Sequence, residues 1–337
     1  MNKYTGIFIL SSCVLRCSAQ DLSSISSPVE DKSFLTTKIE AVKKDGALIF
    51  KAGEKNLLAY QYELKYPPTG VDSNYKRSGF IHPVWAPNGQ VLTRIQPPDH
   101  YHHYGIWNPW THTLFENDTV DFWNIKGRQG TVRFAKFGKL ETRKGSGSFE
   151  TLHEHIVFNK DGSEKVALNE WQSIIVTHPG DRKYYFIDIE SKLACATEIP
   201  LKILAYRYGG LGWRATEFWD KHNSEMLTSE GKTRDNTDGS KARWCIVYGE
   251  LPGKDEGGIL LLSHPSNYNH PEPLRIWDKN ANGGRGDVFA NFAPTKDRDW
   301  LLEPGKTYTL KYRLVVFNGK LDAEVAERHW KAFTVGK

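Results

Sequence analysis

Methionine and cysteine are scarce in this sequence, which has 2 Met and 4 Cys among its 337 residues. No two cysteines have the Cys-x-x-Cys spacing of a structural zinc site, so that class of metal protein is excluded. Cys13 and Cys17 fall within the first twenty residues, and Cys195 and Cys245 remain for the rest of the chain. Their spacing leaves open whether Cys195 and Cys245 form a disulfide.

Neither sign of charge dominates the chain. Its 45 Lys and Arg against 40 Asp and Glu give a net charge of +5. The first twenty residues hold Lys3 and Arg16 and no acidic residue, so the remainder carries 5 − 2 = +3. That excess is too small to indicate binding to nucleic acid or to an anionic membrane. We therefore expect no nucleic-acid partner.

Apolar runs long enough to cross a membrane are also missing. Residues 6–15 are mostly apolar, but a spanning helix needs about 20 such residues. Lys3 precedes this run and small residues follow it, which is typical of a signal peptide over residues 1–20. We expect an exported protein, periplasmic or secreted, without a transmembrane segment. Arg16 directly before Cys17 disfavours a lipid anchor at that cysteine.

Two familiar catalytic motifs are incomplete. Residues 208–214 are rich in glycine but lack the Gly-Lys-Ser/Thr ending of a phosphate-binding loop. Residues 145–148 begin a Gly-x-Ser-x-Gly pattern but lack its final glycine. The sequence therefore indicates neither a nucleotide-binding loop nor a serine nucleophile of these types.

Aromatic residues are abundant instead, with 16 Phe, 15 Tyr and 11 Trp. Runs such as residues 47–52 and 183–190 alternate apolar and polar residues between turn signals, which predicts strands. Helical spacing is convincing only over residues 321–334. We predict an all-β fold: a large antiparallel β-sandwich with a C-terminal helix. One domain over residues 34–337 would follow a disordered lead-in, rich in Ser and charge, at residues 21–33.

Residues 96–112 form the stretch most suggestive of function. Pro97-Pro98 begins it as a stiff loop, and it contains Asp99, two tryptophans and four histidines, namely Trp107, Trp110, His100, His102, His103 and His112. His100, His102 and His103 are candidate ligands for a divalent metal. Alternatively they contact a sugar or exchange protons with it, or they satisfy backbone groups of a polar loop. All three interpretations stay open at this point.

Several motifs together resemble a known family. They include residues 78–89, 97–107, 120–124 and 208–214, with a later His-Pro-Ser-Asn motif that begins at His264. With these motifs the chain resembles the bacterial "PmoA-like" family of exported proteins, also called "methane oxygenase PmoA". The name implies a metal-dependent oxidoreductase. A methane monooxygenase subunit of that name would be an integral membrane protein, whereas this chain lacks spanning segments, so no chemistry is taken from the name.

The C-terminal third carries a second resemblance. Residues 260–264 and 302–313 are similar to the closing strands of galactose-mutarotase-like supersandwich domains. This resemblance implies a sugar site on a concave sheet face, and it refines the fold prediction to a supersandwich. Those domains have an acid at the strand end where this chain has His264, so the mutarotase reaction does not transfer.

Further candidates follow from residue type and position. Arg214 is suited to clamp a carboxylate, or else to pair with Glu217 or Asp220. Glu217 is the best carboxylate for general acid–base work, although no partner acid is identifiable. His264 ends an apolar strand, a common place for catalytic side chains. His153 and His155 share one strand face that we expect to be exposed.

The favoured hypothesis is a carbohydrate-active enzyme acting on a glycoside or an oxidised sugar, of hydrolase, lyase or epimerase type. The alternatives are a non-catalytic carbohydrate-binding module and a metal-dependent oxidoreductase. The catalytic candidates are His102, His103, His264 and Glu217. The candidates for binding the sugar are Asp99, His100, Trp107, Trp110, Arg214, Asn267 and Arg275.

Overall fold

The computed structural model describes residues 1, 37–180 and 183–335. The predicted signal peptide and the lead-in at residues 21–33 lie outside these residues. Within them, no helix combines the length and the apolar character needed to cross a membrane.

The described residues form 21 strands and one α-helix, in addition to short 3-10 turns. The strands are β1 (Ile39–Lys44), β2 (Ala47–Ala52), β3 (Lys55–Gln61), β4 (Phe80–Val84), β5 (Ile106–Trp107), β6 (Thr113–Phe115), β7 (Asp118–Val120), β8 (Gly130–Arg143), β9 (Ser146–Phe158), β10 (Glu164–Thr177), β11 (Tyr184–Cys195), β12 (Leu201–Ile203), β13 (Gly212–Arg214), β14 (Ser224–Thr228), β15 (Lys241–Ala242), β16 (Trp244–Leu251), β17 (Asp255–Ser263), β18 (Glu272–Ile276), β19 (Phe289–Phe292), β20 (Trp300–Leu302) and β21 (Tyr308–Asn318). The helix α1 spans Ala323–Val335.

The strands are arranged in three sheets. The first has nine strands in the order β1-β2-β3-β4-β5-β13-β19-β18-β15, and the second has eight in the order β14-β16-β17-β21-β11-β10-β9-β8. A third sheet of four strands has the order β20-β12-β6-β7. Neighbouring strands run antiparallel, including the long β9–β10 and β11–β21 pairs. The prediction of an antiparallel all-β sandwich with a C-terminal helix is confirmed.

The two larger sheets pack against each other through apolar side chains. Phe50 of the first sheet stacks on Phe149 of the second, with ring centroids 5.5 Å apart. The Tyr185 hydroxyl crosses between the sheets and donates to the carbonyl of Leu57 at 2.7 Å. Inward residues of β10 alternate with outward ones, as a sheet with one solvated face requires.

The helix covers part of the outer face of the second sheet. Its Ala326 is buried, and Trp330 packs with Leu260 and Leu262 of β17. This cover explains why residues on both faces of β17 are buried, although most strands alternate. The helix begins two residues later than the sequence predicts, and Asp322 accepts a hydrogen bond from the Val325 amide at 2.8 Å. Cys195 and Cys245 are both free thiols.

A carboxylate, that of Glu170, lies buried between the two larger sheets. Glu170 accepts hydrogen bonds from Asn108 at 2.6 Å and pairs with His155 at 3.0 Å. The expectation that His153 and His155 are exposed is wrong: their exposed fractions are 2% and 0%. They share the inward face of β9 with Phe149, because side chains two positions apart point to the same side of a strand.

Gly105 sets the backbone at the start of β5. Its φ angle is +57°, and a Cβ atom added there would lie 2.3 Å from the carbonyl oxygen of Ile81. Its amide donates to the carbonyl of Arg94 at 2.9 Å, and its carbonyl accepts from the Arg214 amide at 2.8 Å. Glycine is required here both by the left-handed conformation and by the close approach of the neighbouring strand.

We predict that Gly105→Ala lowers the free energy of unfolding by about 3 kcal/mol, because backbone strain and a backbone clash add together. Gly53→Ala is the matched control: Gly53 has φ +58°, but the nearest atom to its added Cβ lies 3.9 Å away. The control variant should lose only about 1 kcal/mol. Denaturant unfolding measures both, and equal losses would contradict the assignment of a clash at Gly105.

Candidate functional site

The histidine-rich stretch is a loop that leaves the first sheet and returns to it. A single bridge between Ile95 and Tyr104 closes the loop. Inside it, the amides of His100 and His103 donate to the carbonyls of Pro97 and His100 at 2.9 and 3.0 Å, which makes two consecutive turns. The proline pair thus begins a tightly folded loop, as its stiffness predicts.

These turns bring His100, His102 and His103 together. One ring nitrogen of each can be chosen so that all three lie within 4.8 Å of one another. The ring centroids of His102 and His103 are 4.8 Å apart, as are those of His100 and His103. His103 is buried, and the other two are half-buried. His112, the fourth histidine of the stretch, is set apart and packs against Tyr206 at 3.9 Å between ring centroids.

A chain of charged side chains connects the loop to the buried Arg214 of β13. Asp99 accepts a hydrogen bond from Nδ1 of His100 at 2.7 Å. The Arg214 guanidinium lies 3.0 Å from Asp99 and 3.1 Å from Asp287, and its side chain is 1% exposed. The same guanidinium lies 4.7 Å from the ring centroid of Trp277. Arg214 therefore holds the loop in place from a buried position and does not face a substrate.

Burial, together with nearby charges, sets the protonation of the histidines and the aspartate in the loop. Burial, and then the nearby charges of His100 and Arg77, lower the pKa of His102 to about 3. Burial likewise holds the pKa of His103 well below its usual range. Burial alone would raise the pKa of Asp99, but the hydrogen bond from His100 and the charge of Arg214 bring it to about 2. At neutral pH, His102 and His103 are neutral and each keeps a ring nitrogen with a free lone pair.

The three histidines form one wall of a cavity of about 570 Å³. The rest of the lining is polar and aromatic and comes from three separate parts of the chain. It consists of Trp123, Asn124, Arg207, Tyr208, Arg275, Ile276, Trp277, Asp278, Asn280, Ala281, Asn282 and Phe289. Amide, guanidinium and aromatic groups facing one cavity are the groups that bind sugar hydroxyls, carboxylates and ring faces.

An aromatic layer packs behind the histidines. The ring centroids of His103 lie 5.0 Å from Phe289 and 5.2 Å from Trp107, and Trp107 packs on Trp123 at 4.8 Å. Trp107 is 3% exposed, so it supports the wall and has little surface for a sugar. Nδ1 of His103 is buried and has no hydrogen-bond partner among the described residues, an arrangement that costs about 1–3 kcal/mol.

Several of the predicted residues do not line this cavity, and three of them lie in other parts of the structure. Trp110 is fully buried and packs edge-on against Trp300, so it cannot stack on a ligand. The Glu217 side chain is 62% exposed and lies 3.8 Å from Arg94. It borders a separate groove beside Phe218. The His264 ring accepts from or donates to Ser266 at 2.7 Å and borders another groove with Lys311 and Arg313. The structure does not bring these residues to the three histidines.

Most of the other polar groups that line the cavity were not predicted from the sequence. Asn124, Arg207, Asn280 and Asn282 lie in loops that follow different strands. A local signal existed only for the last two, in a segment rich in Asn and Gly at residues 280–286. Arg275, which was predicted, does line the cavity, where it also pairs with Asp238 at 2.7 Å.

Asn267, another predicted sugar contact, instead holds a buried acid. It donates to Glu272 at 2.8 Å and to the carbonyl of Lys311 at 2.9 Å. Ser263 and the Tyr312 hydroxyl also donate to Glu272, at 2.5 and 2.9 Å. Burial raises the pKa of Glu272 to about 7, although these three hydrogen bonds oppose the rise. Both polar ends of Asn267 are engaged inside the protein, because its carbonyl accepts from the Lys311 amide.

Comparison with known proteins gives a family and a set of similar folds. A family model described as "Family of unknown function (DUF6807)" matches residues 47–331. No curated protein matches the sequence. The family description names no activity, so the methane-oxygenase name finds no support in it.

Three solved structures illustrate the structural similarity. The heparan sulfate lyase HepC from Pedobacter heparinus has 11% identity and a TM-score of 0.40, over 84% of this chain and 37% of that one. The GH36 alpha-galactosidase AgaA from Geobacillus stearothermophilus has 10% identity and a TM-score of 0.38, over 83% of this chain and 40% of that one. A galactose mutarotase-like protein from Clostridium acetobutylicum has 9% identity and a TM-score of 0.37, over 85% of this chain and 96% of that one. This chain thus spans well under half of the first two proteins.

We predict that Glu272→Gln stabilises the protein at high pH. The folded-state pKa of about 7 lies above the usual 4.5, so the folded state resists ionisation. The wild-type stability therefore falls as pH rises from about 4.5 to about 7 and stays reduced above that. Glutamine keeps the acceptor for Ser263 and Asn267 and donates to Tyr312, but it never ionises. The variant should exceed wild type by about 3 kcal/mol at pH 8.

Denaturant unfolding between pH 4 and pH 8 measures this difference. Near pH 4 the two proteins should have similar free energies of unfolding, because Glu272 is then protonated in both states. A difference that stays constant across this range would contradict a raised pKa at Glu272.

Proposed function

This chain belongs to the DUF6807 family of unknown function, and we propose that it is a carbohydrate-active enzyme whose reaction takes place in the cavity beside His100, His102 and His103. The substrate would be a glycoside or an oxidised sugar, and the reaction of hydrolase, lyase or epimerase type. The observation that carries this proposal is the convergence of three imidazoles on a cavity otherwise lined by amide, guanidinium and aromatic groups.

The polar lining is suited to a sugar. Asn124, Asn280 and Asn282 line the cavity with side-chain amides, which match the dual donor and acceptor character of hydroxyl groups. Asn124 donates to Asp121 and Tyr208, and Asn282 donates to Asp287 at 2.6 Å, so these contacts hold the two amides in position. Tyr208 lines the same cavity, and its hydroxyl accepts a hydrogen bond from the Asn124 side chain at 3.0 Å. Trp277 supplies flat apolar surface at the same cavity, suited to the C–H face of a pyranose ring, whereas Trp123 is 1% exposed and mainly supports the wall.

Two arginines favour an acidic sugar. Arg207 is exposed and stacks over the rings of Tyr206 and Tyr208, at 5.6 and 5.4 Å from their centroids. Arg275 lines the same cavity and is partly neutralised by Asp238. A planar guanidinium fixed by stacking binds a carboxylate through two parallel hydrogen bonds. We therefore propose a uronic acid or another sugar acid as the preferred ligand.

The chemical role falls to the histidines rather than to a carboxylate pair. Glu217 lies outside the cavity, and Asp99 is held by Arg214 and His100. Asp278 also lines the cavity and is exposed, but no second carboxylate of the lining pairs with it. His102 is half-buried at the cavity wall and keeps a free lone pair at neutral pH, so we assign it the contact with the reacting group.

A binding module without catalysis is the competing function. It predicts sugar binding in this cavity but no turnover, whereas the proposed enzyme converts a bound glycoside in a reaction that His102→Gln abolishes. Incubation with 4-nitrophenyl glycosides and glucuronides, followed by product analysis, separates the two. Binding without any turnover would favour the module.

We predict that Arg207→Ala weakens glucuronate binding about 10-fold or more, because one charged hydrogen-bonding partner is worth roughly 1.5–3 kcal/mol. Binding of neutral glucose should change little. Isothermal titration calorimetry with both sugars measures the effect. Arg298→Ala is the matched control, because Arg298 is an arginine with a 55% exposed side chain paired only weakly with Asp297 at 3.6 Å.

The same titrations test the proposal as a whole. Wild-type and Arg298→Ala proteins should bind glucuronate equally and more tightly than glucose. Binding of neither sugar, or equal binding by wild type and Arg207→Ala, would contradict the assignment of this cavity to an acidic sugar.

A further inference from the structure

We propose that His100, His102 and His103 together bind one divalent transition-metal ion, of the zinc type, at the wall of the cavity. This inference goes beyond the proposed function and stands without it, since it concerns the ligands alone. Four structural features support it: the spacing of the rings, the carboxylate that fixes His100, the buried nitrogen of His103 and the open side of the cavity.

The ring spacing is close to that of a three-histidine site. One nitrogen of each ring lies within 4.8 Å of the others, whereas nitrogens bound to a tetrahedral zinc ion are about 3.4 Å apart, given a Zn–N distance of about 2.1 Å. Metal binding would therefore require the side chains to rotate so that the three nitrogens move closer together. His100 and His102 are half-buried at the cavity, so both rings have room to turn.

His100 is supported in the manner of a metal ligand. Its Nδ1 donates to Asp99 at 2.7 Å, which fixes the ring and leaves Nε2 with a lone pair. Asp99 is itself held by Arg214 at 3.0 Å, and Arg214 by Asp287 at 3.1 Å. A carboxylate that fixes a histidine from outside the ligand set raises its basicity and orients it toward a metal. A polar loop whose histidines only satisfy backbone groups would not require such a chain.

His103 supplies an independent observation. Its Nδ1 is buried and has no hydrogen-bond partner among the described residues. The rings of Trp107, Phe289 and Trp277 pack around it and offer no hydrogen-bond acceptor. Buried polar atoms in folded proteins are paired as a rule. A metal ion bound through this Nδ1, and held jointly with the two adjacent histidines, would give the buried nitrogen a partner.

The open side of the cavity determines the kind of metal site. Three protein ligands leave at least one coordination position, which would face the cavity of about 570 Å³. Three imidazoles without a carboxylate select zinc, cobalt, nickel or copper over magnesium and calcium. An ion in this position would add positive charge beside Arg207 and Arg275, which would strengthen the attraction of an acidic ligand.

The test uses the mature protein produced without a polyhistidine tag, stripped with chelator and titrated with Co²⁺ and Zn²⁺. We predict one equivalent of bound Co²⁺ with visible absorption bands of a tetrahedral or five-coordinate histidine site, and displacement of the cobalt by one equivalent of Zn²⁺. His100→Gln and His102→Gln should each remove these bands. Asp99→Asn, which removes the carboxylate that fixes His100 and pairs with Arg214, should weaken binding about 10- to 100-fold in a variant that remains folded.

His222→Gln is the control, because His222 is exposed and lies outside the cavity lining. It should bind cobalt as wild type does. Thermal unfolding without metal shows whether each variant is folded, so a loss of binding in a folded variant supports the site. Absence of a one-equivalent cobalt spectrum in wild type, or wild-type binding by both His100→Gln and His102→Gln, would overturn the proposal. Neither result affects the glucuronate titrations, which can be run in chelator.

Discussion

The buried guanidinium of Arg214 is the contact on which the candidate site depends. It joins Asp99, in the histidine-rich loop, to Asp287, which lies two residues before β19. Removing one partner of such a buried pair leaves an uncompensated charge and costs about 3–5 kcal/mol. The backbone of Arg214 also pairs with Gly105 and Arg94 at the base of the loop. A single residue of β13 thus fixes both the position of the loop and the orientation of His100.

The protein contains two groups of neighbouring histidines with different surroundings. His153 and His155 lie between the sheets, where one nitrogen of each ring faces the buried carboxylate of Glu170 and Nε2 of His153 contacts the Tyr60 hydroxyl. His102 and His103 have no carboxylate of their own and face a cavity. The first pair satisfies a structural charge, as most buried histidines do, whereas the second pair remains available to a ligand. This contrast favours function in the loop over function in the core.

Local patterns predicted the fold and part of the site. Strand alternation and the spacing of the C-terminal helix are set by neighbouring residues, and His100, His102 and His103 lie within four positions of one another, so each could be found from the sequence. Asn124 and Arg207 could not, because they reach the cavity only through a strand order that places β13 beside β5 and β19 beside β13 across long stretches of chain. Glu217 was assigned to the site because it follows Arg214 closely, but three residues suffice to carry its side chain to the solvent.

A crystal structure of the protein with a bound uronic-acid disaccharide tests the central claim most directly. We predict that the sugar binds in the cavity, with its carboxylate on Arg207 or Arg275. A ring or bridging oxygen should lie within hydrogen-bond reach of His102 or of an ion held by the three histidines. A sugar bound elsewhere, for instance on the exposed ring of Trp171 on the outer face of the second sheet, with the histidine cavity empty, would contradict the account.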